Sequence, residues 1–165
     1  MLPPSPITAT AYRAMPTEPG TGPLIEALLE RGDHVLLPRI SGRALHWVAV
    51  TDETSYARGP LGIMEPTGPS WDDGTAALLA AAVLFLPGLA VDSAGRRLGQ
   101  GGGYYDTALA TVPGHADGGP LRVAVLFDDE FVDEVPHEPH DCLVDAVLTP
   151  RRLVWIAADG PSPAT

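Results

Sequence analysis

Three short runs, "HVLLPRI" (34–40), "AAVLFLPG" (81–88) and "LRVAVLF" (121–127), limit the folds open to this chain, because each is apolar almost without interruption. A strand with one wet face alternates apolar and polar residues. A strand that is apolar throughout needs cover on both faces, as in the parallel sheets of α/β proteins. Helical spacing supplies candidates for that cover. "GPLIEALLERG" (22–32) places Leu24, Ile25, Leu28 and Leu29 on one helical face and stops at Gly32, and "GYYDTALATV" (103–112) has room for a second helix. "ITATAY" (7–12), "ALHWVAV" (44–50), "CLVDAVLT" (142–149) and "RLVWIA" (152–157) read as further strands, and "GPLGIMEPTGP" (59–69) as a loop. The pattern predicts a single α/β domain over residues 1–165, with 1–6 and 158–165 frayed.

Charge narrows the function. The net charge is −11, from 21 acidic and 10 basic residues, and every basic residue is arginine. A nucleic-acid binder needs a basic stripe to displace counterions, and a peripheral membrane protein needs one for anionic lipid. Neither is present. The most apolar stretch, "TAALLAAAVLFLPGLAV", is interrupted by Pro87 and Gly88 and is too short for a bilayer. "MLPPSPITAT" carries no basic or apolar leader pattern, and the single Cys142 fits a reducing compartment as a buried structural thiol. The expectation is a cytoplasmic monomer that handles a small molecule, with no nucleic-acid or membrane partner.

"RLGQGGGYYD" (97–106) is where chemistry concentrates. Four glycines, Gly99, Gly101, Gly102 and Gly103, fall within five positions, after Arg96 and Arg97 and before a helix start. Bare backbone lets N–H groups converge on oxyanions, a helix N-terminus adds positive potential, and arginine forks grip phosphate. A flexible turn that doubles a strand back would use the same residues. Composition leaves these two readings even. No Gly-Lys-Ser/Thr follows, so this is not a Walker loop, and the glycines do not follow directly on an N-terminal strand as a dinucleotide fingerprint requires.

The longer string "FLPGLAVDSAGRRLGQGGGYYD" resembles the signature of the 5-formyltetrahydrofolate cyclo-ligase family. "TEPGTGPLIEALLERG", "VLLPRI", "GPLGIMEP", "VPHEPHD" and "LVDAVLTP" agree with that family in order, over about residues 12–150. The resemblance implies a three-layer αβα sandwich with a mostly parallel central sheet. It also implies ATP- and Mg²⁺-dependent closure of 5-formyltetrahydrofolate to 5,10-methenyltetrahydrofolate, with release of ADP and phosphate. By the same resemblance, Arg97, Gly99, Gln100, Gly101, Gly102, Gly103, Tyr104 and Tyr105 form the nucleotide loop, with Arg97 and Tyr104 closest to the chemistry. Met15, Glu18, Gln100, Gly102 and Tyr104 face the folate, and Asp106 and Asp145 hold the metal.

Weaker candidates flank these. Glu65 and Pro66 match a stretch near the substrate, though a turn carboxylate is an equal reading. His137 and His140 lack partners for zinc. Asp92 is expected to order the loop, and Trp47, Trp71 and Trp155 to pack. The sequence departs from the family twice. Members open with a helix carrying Lys-x-x-x-Arg, whereas the first basic residue here is Arg13, and Gln100 stands where the family has a basic residue. Both departures remove cations from around a triphosphate, which leaves a non-catalytic folate-binding homologue as the alternative expectation.

Overall fold

The computed structural model describes residues 3–71, 74–138 and 141–156. The chain opens with β1 (Thr8–Thr10), α1 (Gly22–Glu30), β2 (His34–Ser41) and β3 (Ala44–Val50). A small hairpin follows, β4 (Tyr56–Arg58) and β5 (Met64–Pro66), then α2 (Thr75–Ala80) and β6 (Val83–Pro87). Next come β7 (Ala90–Asp92), β8 (Arg97–Leu98), α3 (Tyr104–Leu109) and β9 (Leu121–Val125). β10 (Phe131–Val132), β11 (Ala146–Leu148) and β12 (Leu153–Trp155) complete the order.

Seven strands form the central sheet in the order β12-β11-β9-β6-β1-β2-β3. The five inner strands run parallel, and only the edge strands β3 and β12 run antiparallel to their neighbours. Alternation along the inner strands divides the core in two. Leu36, Leu84, Leu86 and Ala124 point to the face covered by α2 and α3, where Ala77, Leu78 and Leu109 meet them. Val35, Leu37, Val83, Phe85 and Val123 point to the other face, onto Ile25 and Leu28 of α1. The continuous apolar runs are therefore two interleaved period-2 patterns, each with its own helical cover, which gives the expected three-layer α/β arrangement.

The structure corrects several expectations. Part of 59–69 is the strand β5, paired antiparallel with β4. A three-stranded sheet, β10-β7-β8, also escaped the pattern, because strands of two or three residues are too short to show a period. The strand expected over 142–149 is confined to Ala146–Leu148. Residues 3–6 are pinned: Ser5 Oγ donates to Asp33 Oδ1 at 2.7 Å, and Arg31 donates to the Pro3 carbonyl at 3.0 Å. Of the tryptophans only Trp47 is buried; Trp71 and Trp155 are about half exposed, at 48% and 53%. Trp155 lies on an edge strand, where one face finds no helix. Cys142 is half-buried against the α2/α3 side of the core. His140, residues 1–2 and 158–165 lie outside the described residues. Among the described residues no helix is long and apolar enough to cross a membrane.

One glycine holds the turn between β7 and β8 against the core. Gly95 has φ +80°, and a Cβ there would sit 2.5 Å from the Val144 carbonyl oxygen. A left-handed alanine costs about 1–2 kcal/mol and a backbone clash adds about 1–3 kcal/mol. Gly95→Ala is expected to lose about 3 kcal/mol, lowering Tm by roughly 6–12 °C in a thermal melt.

Candidate active site

A cavity of about 960 Å³ opens at the carboxyl ends of β1, β2 and β6. That volume lies at the upper end of the range for small-molecule sites, and the position is where α/β sheets bind ligands. Its walls come from the β1–α1 loop (Arg13, Met15, Glu18), the glycine loop, the start of α3 and the β4–β5 hairpin.

The glycine loop leaves β8 and enters α3. Gly101 and Gly103 take φ +83° and +66°, and a Cβ on either would meet nothing within 4 Å. Gly102 has no such freedom, since a Cβ there would stand 3.0 Å from the Tyr104 ring. Among the described residues, no main-chain N–H from Gln100 to Gly103 finds a protein acceptor. The loop is thus an exposed row of backbone donors. α3 has only six residues, so these loop amides, and not a long helix dipole, supply the positive character.

Arg97 anchors the row from beneath. Its side chain is almost fully buried, donates to the Pro87 carbonyl at 2.9 Å and to Asp106 Oδ1 at 2.8 Å, and keeps a buried Nε without a partner. The guanidinium lies 6.0 Å from the centre of the Tyr105 ring. Tyr105 in turn makes an edge contact with Trp47 at 6.4 Å, and burial pushes its phenol well above the usual range. Tyr105 is therefore a packed, protonated support, while its half-buried neighbour Tyr104 lines the cavity. Asp92, fully buried, accepts from the N–H groups of Ala94, Arg96 and Val135 and so orders the β7–β8 turn, rather than the expected glycine loop that follows β8.

Glu18 faces the loop across the cavity. Gln100 Nε2 donates to Glu18 Oε1 at 2.8 Å, and the Met15 N–H donates to Oε2 at 2.7 Å. Partial burial raises the Glu18 pKa, with Glu130 adding to the rise, while the bonds from Met15 and Gln100 oppose it. A carboxylate whose folded pKa is raised costs stability when ionised. That cost is absent below the unfolded value of 4.5 and is fully felt above the raised value. Glu18→Gln removes the titration, and Gln100 can turn its amide to keep the bridge. The stability of the variant relative to wild type is expected to be higher at pH 7 than at pH 4, measured by chemical denaturation at both.

The structure brings Met15, Glu18, Arg97, Tyr104, Tyr105, Asp106 and the whole run 99–103 to one cavity. It does not bring Asp145 there. Asp145 precedes β11 at the amino ends of the parallel strands, opposite the end that carries the cavity, where its carboxylate accepts from the Arg122 N–H at 2.8 Å. Asp106 lines the cavity with Oδ1 bound to Arg97, so the two aspartates expected to hold magnesium do not share one cavity. Glu65 and His137 line the cavity, and Glu65 accepts from the Ile40 N–H at 3.2 Å, which ties the β4–β5 hairpin to β2. Arg13, Leu61 and Ile63 also line it. Arg13 comes from the β1–α1 loop and Leu61 and Ile63 from the β4–β5 hairpin, so no single stretch of sequence shows that they meet.

Residues 7–150 match the 5-formyltetrahydrofolate cyclo-ligase family. The chain belongs to that family. Among similar cyclo-ligases, the 5-formyltetrahydrofolate cyclo-ligase of Mycolicibacterium smegmatis is 40% identical over 151 residues, covering 88% of this chain and 74% of that protein. The Escherichia coli cyclo-ligase is 32% identical, over 90% of this chain and 80% of that one. The solved structure of 5,10-methenyltetrahydrofolate synthetase from Aquifex aeolicus superposes with a TM-score of 0.72 at 27% identity, covering 98% of this chain and 76% of that one. Membership of the cyclo-ligase family and the α/β architecture implied by the motifs are thus both established.

Proposed function

We propose that this chain closes 5-formyltetrahydrofolate to 5,10-methenyltetrahydrofolate, driven by conversion of ATP to ADP and phosphate. The observation that carries the reading is a row of backbone N–H groups, Gln100 to Gly103, with no acceptor among the described residues, facing a carboxylate, Glu18, across one cavity. The first feature suits phosphate oxygens and the second suits the N–H donors of a pterin. An N-formyl oxygen is amide-like and leaves poorly. Once phosphorylated it leaves as phosphate when the folate N10 attacks the same carbon. Such transfer asks the protein mainly to hold the terminal phosphate against the formyl oxygen and to offset charge.

In this arrangement Gly99–Gly103 cradle the phosphates, with Arg97 fixed behind them. Tyr104 packs beside the folate, and Met15, Glu18 and Gln100 hold its pterin end. Asp106, at the start of α3 beside the loop, would offer a carboxylate to the magnesium ion that accompanies the phosphates. The reaction is tested by absorbance of the conjugated methenyl bridge, with protein, 5-formyltetrahydrofolate, ATP and Mg²⁺, each omitted in turn. A rise that needs all four is expected. Folate binding without any rise would leave the chain a binding protein on the same fold.

A further inference from the structure

Resting on that reading, we infer that the Tyr12 hydroxyl is a catalytic hydrogen-bond donor, acting on the formyl oxygen as that oxygen departs with phosphate. Among the side chains that line the cavity, two buried polar atoms find no partner among the described residues, Arg97 Nε and Tyr12 Oη. Arg97 stands beneath the glycine loop, and its two terminal nitrogens are already engaged. Tyr12 is 4% exposed, and its hydroxyl is its whole polar capacity. An unpaired buried donor costs stability, and in a site it is accounted for when a ligand completes it. The rest of the residue is held in place. Buried Thr21 donates its hydroxyl to the Tyr12 carbonyl and accepts from the Ala14 N–H at 3.1 Å, while the ring packs into the core on the α1 side of the sheet. The donor is therefore fixed before any ligand arrives.

Position and charge select the leaving oxygen. Tyr12 follows the end of β1, and β1 lies between β2 and β6. Pro38 and Ile40 of β2 line the cavity on one side of it, and Pro87 and Gly88 at the end of β6 on the other. Tyr12 is thus in the floor, between Glu18 on the pterin side and the Arg97-anchored loop on the phosphate side. N5 of the pterin carries the formyl group, so the bond to be broken spans that gap. Burial first, and then Glu18, Tyr105 and Glu130, keep the phenol protonated by raising it well above the usual range. In the step itself the N10 lone pair attacks the formyl carbon and the C–O bond breaks. The electron pair of that bond stays on the oxygen, which leaves as phosphate and takes the N10 proton; Tyr12 keeps its own. Negative charge grows on the oxygen as the bond lengthens, and a fixed donor shielded from water acts most strongly there.

The test is Tyr12→Phe, which keeps the ring and removes only the hydroxyl. Rapid-quench measurement of ADP and stopped-flow absorbance of the methenyl bridge follow the two chemical steps separately, with 5-formyltetrahydrofolate, ATP and Mg²⁺. Calorimetry gives the folate Kd, and a thermal melt reports on the fold. In the variant, ADP is expected to form at the wild-type rate in the first turnover, while the methenyl band rises about 100-fold more slowly, the loss for one such donor. The folate Kd is expected to stay at the wild-type value. The Tm is expected to be equal or higher, because the hydroxyl has no partner among the described residues to lose. A wild-type methenyl rate in the variant overturns the inference. So do equal slowing of ADP and methenyl, a folate affinity that falls by the same factor as the rate, and a clearly lowered Tm. In each of these cases the functional reading stands. Failure of wild type to form the methenyl product removes the functional reading, and the role of Tyr12 with it.

Discussion

Arg97→Ala is expected to lower kcat/KM by about 100- to 1,000-fold, the range for removing one fixed charge from a transition-state site. Two effects combine. The guanidinium joins the end of β6, through the Pro87 carbonyl, to the first turn of α3, through Asp106. Without it, the glycine loop between those anchors loses its floor, and the phosphates lose the nearest buried positive charge. Stability falls as well. Breaking a buried pair costs about 3–5 kcal/mol, but Asp106 is about a third exposed, at 32%, and water can resolvate it, so the loss is expected at about 2–3 kcal/mol. Arg97→Lys keeps the charge but cannot span both acceptors with a fork, and should recover only part of the activity. The methenyl assay and urea denaturation read the two effects separately. Turnover within a few-fold of wild type in Arg97→Ala would remove Arg97 from the site.

Gly101→Val is expected to abolish measurable turnover while leaving the fold largely intact. Gly101 has φ +83° and open space where a Cβ would stand. Valine there costs about 1–2 kcal/mol in a left-handed conformation. Its larger effect is steric, because the branched side chain would fill the surface on which the phosphates rest. Misplacing reacting groups by about 1 Å costs around 100-fold, and displacing the nucleotide outright costs more. Gly42→Val is the control. Gly42 also has a left-handed φ, +62°, with nothing near its Cβ position, but it lies in the β2–β3 turn outside the cavity lining. The two variants should melt at similar temperatures and differ by at least 100-fold in kcat/KM for ATP. Similar activity in both would show that the exposed glycine row is a turn and nothing more.

The edge of the sheet limits what residue patterns convey. Leu36 and Val35 could be assigned to a buried strand from their neighbours alone, because a strand covered on both faces needs apolar residues at every position. Trp155 follows the same local rule and is nevertheless half exposed, since the rule says nothing of which strand lies at the edge. Asp145 shows the same limit within a motif. "LVDAVL" signals a strand but not which end of the sheet the aspartate faces, and the fold sets Asp145 just before β11, against the Arg122 N–H.

The sequence by itself determined the fold class, the family and the glycine loop with Arg97 and Asp106. All three are written in contiguous residues: continuous apolar runs, a long ordered signature, and a ten-residue stretch whose parts touch because they are close in the chain. Only the tertiary structure decided which distant residues share the cavity. It set Gln100 against Glu18, which are 82 positions apart, and it placed Arg13 over Tyr56 at the mouth. It also took Asp145 away from Asp106. Such meetings depend on strand order and on which ends of the strands open to solvent, and both are fixed by the burial of two helical layers against one sheet rather than by any local pattern.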